Sequence, residues 1–155
     1  MRRTTTATAT RPTSSRLVEH VETAIARAER GESKLDRAAF RARGFTSAKV
    51  RHLLNNLGSL DGLDYLEVGV HRGATFLATN YRNELLSAVA VDNWSEFDED
   101  GSARAEFLQH CTTLLRPGSY SVLEQDCFTV TPAQLTAPVN FYVYRSEEHS
   151  CRERV

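Results

Sequence analysis

Apolar positions in the first third of the chain recur at helical spacing. In "SRLVEHVETAIARAE" (15–29), Leu17, Val18, Val21, Ala24, Ile25 and Ala28 fall on one face. Ser14 or Ser15 is placed to cap the start and Gly31 to end the helix. A short helix is expected near 34–42, closed by Gly44. "TSAKVRHLLNNLGSLDG" then sets Val50, Leu53, Leu54 and Leu57 on one stripe, between Thr46 as N-cap and Gly58 as C-cap. After Gly62 the period changes. Short, nearly continuous apolar runs at 64–70, 85–92, 120–126 and 139–144 predict four strands. Between them the pattern predicts a helix over 73–84 and another over 102–116, stopped by Pro117-Gly118. In the second helix Phe107, Leu108, Cys111, Leu114 and Leu115 share a face. Thr131 and Pro132 start one further helical turn at 131–135.

Strands alternating with helices predict a parallel sheet with right-handed crossovers. The fold class is therefore α/β, Rossmann-like. The segments are a basic tail (1–14) expected to be disordered, an N-terminal helical segment (15–62), an α/β unit (63–144) and a charged tail (145–155).

Composition narrows the classes of function. The chain has 155 residues, 41% hydrophobic and 25% charged, which suits one folded domain. Its formal net charge is −1, so no global basic field favours nucleic acid or an anionic membrane. No apolar run approaches the roughly 20 residues that span a bilayer. The three cysteines, Cys111, Cys127 and Cys151, show no CxxC spacing, and reduced thiols in a cytoplasmic protein are expected. "MRRTTTATATRPTSSR" is basic, rich in threonine and free of acids, a composition that also suits an organelle transit peptide.

Candidate chemistry sits at the strand ends, because open α/β sheets bind ligands at the carboxyl ends of their strands. The first strand runs into Glu67-Val-Gly69-Val-His71-Arg-Gly73, and the second ends at Asp92-Asn93-Trp94. The third ends at Asp126-Cys127-Phe128, and the fourth at Tyr144-Arg145 with His149 nearby. The dinucleotide fingerprint G-x-G-x-x-G is met only at Gly69, since His71 and Ala74 stand at the other two positions. A side chain at His71 obstructs the close approach a pyrophosphate needs, which disfavours an NAD-dependent oxidoreductase. No P-loop is present either, because no GK[ST] follows.

The stretch 64–144 resembles the class I S-adenosylmethionine-dependent methyltransferases. The likeness is to a small-molecule branch with a first motif like "LEVGVxRGxT" and a fourth strand running into "DGxHS"; here the first motif reads "LEVGVHRGAT". The resemblance implies strand order 3-2-1-4 and a site for S-adenosylmethionine. It implies that Glu67 helps hold the amino-acid end of the cofactor, directly or through water. Gly69, His71 and Gly73 form the loop beneath it, and Thr75 opens the following helix. Asp92 accepts the ribose hydroxyls, Asn93 and Trp94 flank the adenine with Trp94 stacking, and Asp126 takes the adenine amino group beside Cys127 and Phe128. The implied activity is O-methyl transfer to a small molecule. His149 is the candidate catalytic base, but the chain reads "YRSEEHS" where the branch has "DGxHS", and Arg145 replaces the acid. A divalent metal belongs to that motif in the branch and has no support here. The family sheet usually has seven strands, so four strands followed by a charged tail read as truncation or a changed reading frame. The alternative is a non-catalytic, cofactor-binding remnant, or a module that self-associates through its helical N-terminus and an exposed fourth-strand edge.

Overall fold

The computed structural model describes residues 13–96, 98–135 and 137–145. His149, Cys151 and the basic tail up to residue 12 lie outside the described residues. The elements are helices α1 (Ser14–Glu29), α2 (Ala48–Leu57), α3 (Ala74–Asn80) and α4 (Ser102–Leu114), and strands β1 (Asp64–Val68), β2 (Ser87–Val91), β3 (Ser121–Leu123) and β4 (Phe141–Tyr144). Short 3₁₀ turns lie at Ala39–Arg41, Cys127–Thr129 and Pro132–Gln134.

The four strands form one parallel sheet in the order β3-β2-β1-β4, as the alternation and the resemblance lead one to expect. Tyr65 of β1 pairs with Ala88 of β2 and Phe141 of β4, and Glu67 pairs with Ala90 and Val143. Side chains alternate across a sheet, so these residues share one face. That face meets Phe76 and Leu77 of α3 and Phe107 and Cys111 of α4 in the main core. Val68, Val89 and Val91 lie on the opposite face, packed by Cys127, Val130 and Leu135 from the 3₁₀ region. In α4, Ala103, Phe107 and Cys111 repeat every fourth residue and are all buried, and Leu115, just past the helix, is buried beside them. Burial also pushes the Cys111 thiol up to about 12, so it stays protonated and inert.

The N-terminal segment departs from its pattern. Leu17, Val18 and Ile25 of α1 are exposed, and the helix packs on α2 through Ala24 and Ala28. The start is capped by position at Thr13, without a side-chain bond, rather than by Ser14 or Ser15. The N-cap of α2 is Ser47, whose hydroxyl accepts from the Val50 amide at 3.2 Å, one residue after the expected Thr46. The helix expected near 34–42 is only the turn Ala39–Arg41.

Amides join this segment to the sheet layer. The Asn55 side chain donates to the carbonyls of Ala78 and Tyr81 at 2.8 and 2.9 Å, and it accepts from the Lys34 amide. Asn83 returns the bond by donating to the Asn55 and Thr79 carbonyls. These bonds satisfy carbonyls at the end of α3, which have no partner within the helix. Ala42 of the N-terminal segment is part of the main core, so the helical segment and the sheet share one interior.

Candidate functional site

The strand ends converge on a cleft of about 300 Å³. Gly69 follows β1 at φ +81°, and its amide donates to the Val91 carbonyl at the tip of β2. The chain then doubles back through Val70 and His71, with His71 at φ +49°. A non-glycine residue rarely takes that conformation, so something must hold it. Asp92 does so. Its Oδ2 accepts from the His71 amide and its Oδ1 from the Trp94 amide, both at 2.8 Å. One carboxylate thus braces both turns and still lines the cleft. It has about four acceptor sites in all, so roughly two remain for a ligand.

Behind the cleft lies a hydroxyl cluster. Glu67 is fully buried, and the hydroxyls of Tyr65 and Thr75 donate to its two carboxylate oxygens. Thr79 donates to the Tyr65 oxygen at 3.3 Å. No cation is bonded to Glu67 among the described residues. Burial therefore dominates and raises its pKa to about 7, against the pull of the two hydroxyls and of the Arg145 charge. Thr75 alone of this group lines the cleft, so Glu67 touches the cleft only through the Thr75 hydroxyl.

The residues singled out by sequence do not all arrive together. Gly69, His71, Thr75, Asp92, Asn93 and Cys127 line the cleft. Trp94 does not. Its φ of +49° turns the indole back onto Phe107, where it is buried and donates to the His71 carbonyl at 2.9 Å, so it has no free face for stacking. Gly73 also faces the core rather than the cleft, and a Cβ placed there would overlap the Phe107 ring. Asp126 caps a 3₁₀ turn by accepting from the Phe128 amide at 2.9 Å and is absent from the cleft wall, which Gln125 lines instead. Phe128 is exposed on the second face of the sheet, beside Val130 and Tyr142. No family model, curated protein or solved structure matches this chain.

Four further lining groups leave no mark in the sequence pattern: Phe45, Ser95, Glu96 and Arg145 in a binding role. Phe45 comes from the loop before α2. Gly44 lets that loop lie against α3, since a Cβ at Gly44 would sit 2.6 Å from the Ala74 Cβ. The Phe45 ring then stacks on His71, with centroids 5.4 Å apart and planes 20° from parallel. Its carbonyl accepts from the Arg145 guanidinium. Arg43 and Arg72 both pair with Glu106 of α4, which ties the same loop down from the other side. A glycine followed by a lone aromatic residue is the available signal, but nothing in the pattern links it to the strand ends.

Among the described residues no group of three or more metal-ligating side chains is gathered. No helix among them is long and apolar enough to cross a membrane.

Proposed function

We propose that the cleft binds S-adenosylmethionine and that the protein belongs to methyl-transfer chemistry on a small molecule. The observation that carries this is Asp92: a carboxylate at the tip of β2, fixed by two backbone amides and facing a tight glycine turn after β1. A vicinal diol suits its remaining acceptor sites, because each hydroxyl donates one bond to a group that accepts only. The missing second and third glycines of the dinucleotide fingerprint weigh against a pyrophosphate, and the stacked His71 and Phe45 rings give the cleft a flat wall, as a heterocycle prefers. When bound, the cofactor supplies an electrophilic methyl carbon. The chain supplies position: Asp92 and Asn93 hold the ribose end, and Thr75, backed by Glu67, faces the amino-acid end. His149, the candidate base, lies outside the described residues.

Calorimetric titration with S-adenosylmethionine and its demethylated product is the direct test, and saturable binding of both is expected. Asp92→Asn keeps one acceptor oxygen but loses the charge and one of the two backbone braces. It should weaken binding by about tenfold or more, the equivalent of one charge-assisted hydrogen bond. Unchanged affinity in a variant with a normal melting curve would remove Asp92 from the site.

A second reading has its own support. Leu17, Val18 and Ile25 leave an apolar stripe exposed on α1, while Tyr142 and Tyr144 stand half-exposed on the edge strand β4. An uncharged edge invites pairing with another chain. Light scattering behind size-exclusion chromatography should then give twice the 17.4 kDa chain mass. A Tyr142→Lys variant should return the monomer. A monomer at every loading concentration would end this reading without touching the first.

A further inference from the structure

We infer that the cleft has a second compartment, walled by Phe45 and Arg145, that takes a small planar aromatic acid. The inference extends the cofactor reading only in treating Asp92 as the far end of the same cleft; the aromatic-acid site itself stands on other residues.

The two ends of the cleft differ in charge. Asp92 and Glu96 line the end under β2, and Arg145 lines the end beyond β4. Arg145 follows the last residue of β4, and its amide is fixed by a bond to the Val68 carbonyl at 2.8 Å. Its guanidinium donates to one neutral acceptor, the Phe45 carbonyl. Among the described residues no carboxylate is paired with it, whereas Arg30, Arg43, Arg72, Arg82 and Arg104 each lie within 3 Å of one. A guanidinium has five donors in a planar fork, and most of them remain for a ligand. A carboxylate matches that fork two-to-two.

Phe45 supplies the complementary surface. It is 74% exposed, unusual for a phenylalanine on a loop pinned from several sides. The close Gly44–Ala74 contact, the His71 ring and the Arg145 bond all fix it in place. A rigid exposed ring gives up little conformational entropy when a ligand stacks on it, so its contact area translates well into affinity. The Arg145 guanidinium bonds the backbone carbonyl of the residue whose ring is exposed, so the cation and the ring line the same cleft. A ligand that uses both must stack on the ring and present an anion to the guanidinium, which selects a ring bearing an acid over a plain ring or a plain anion.

The experiment compares 4-hydroxybenzoate with its neutral isostere 4-hydroxybenzamide on the full chain, by calorimetry or ligand-observed NMR. The acid should bind and the amide should bind about tenfold more weakly, the difference between a charge-assisted pair and a neutral bond. Arg145→Gln should bring the acid down to the level of the amide, and Arg145→Lys should restore part of the preference. Phe45→Ala should weaken both by a similar factor. Equal binding of acid and amide by the unaltered protein overturns the inference, and that comparison needs no variant to fold. So does a preference that survives Arg145→Gln. Titrating the acid in the presence of the demethylated cofactor separates the two readings. Binding of both together supports the second compartment. Mutual exclusion assigns Arg145 to the cofactor and overturns it. Binding of the acid with no binding of the cofactor leaves this compartment standing and removes the cofactor reading instead.

Discussion

Replacing Gly73 with alanine lowers the melting temperature by about 10 °C, the equivalent of roughly 3 kcal/mol in a domain of this size. Two effects add. Gly73 sits at φ +83°, where an alanine is strained by about 1–2 kcal/mol. The new methyl group would also overlap the Phe107 Cδ2, and Phe107 is fully buried among Phe76, Trp94 and Cys111. Overpacking of that kind adds about 1–3 kcal/mol. Gly101 is a natural control, because it has φ +70° but nothing within 4 Å of its added Cβ. Gly101→Ala should therefore show the strain alone, about 1 kcal/mol. Equal losses in the two variants, measured by thermal or urea unfolding, would mean that the Phe107 contact contributes nothing.

Stability should also fall as the pH rises from about 4.5 to about 7, because of Glu67. The sign follows from proton counting. In the unfolded chain Glu67 titrates near the ordinary value of 4.5, and in the folded protein near 7. At pH 6 the folded state holds a proton that the unfolded state has released. Rising pH therefore favours the unfolded state until the folded group has also ionised. Across the whole window the loss is about 3 kcal/mol, since each tenfold difference in proton affinity is worth about 1.4 kcal/mol. Below 4.5 both states are protonated and Glu67 adds no pH dependence. Burial lowers the pKa of His52, which acts in the opposite direction, so the difference from Glu67→Gln is the clean measure. A glutamine keeps an acceptor and adds a donor in the same volume, without a charge to bury. Urea titrations should find Glu67→Gln close to the parent at pH 4.5 and more stable than the parent at pH 8. Parallel stability curves for the two proteins would show that Glu67 titrates in the fold as it does in the unfolded chain.

The sheet is legible in the sequence because continuous apolar runs separated by helical periods leave few topologies. Its strands are shorter than those runs. The apolar run at 120–126 forms only the three-residue ladder Ser121–Leu123, because β3 is an edge with one partner and Asp126 turns the chain into a 3₁₀ turn. The stripe on α1 misleads for a different reason: periodicity reports a face and not what covers it. At the site, Asp92 and the Gly69 turn are legible because their roles are local to the backbone. Trp94 is not, since a positive φ reverses the direction of a side chain and leaves no mark in composition. Gly73 has the sequence setting of a ligand loop, yet its neighbour is a ring 34 positions further along. Phe45 and Arg145 are beyond reach for the same reason: a bond across 100 residues joins them.

Trp94 is the only tryptophan in the chain. Its indole is sealed against Phe107 and hydrogen-bonded to the carbonyl of the turn that Asp92 braces. The protein thereby carries a built-in optical reporter of that turn. Its emission comes from one environment, apolar on one side and tied to His71 on the other. Any rearrangement of the turn registers as a change in wavelength or intensity with no competing signal, so occupancy of the cleft becomes readable in unlabelled protein.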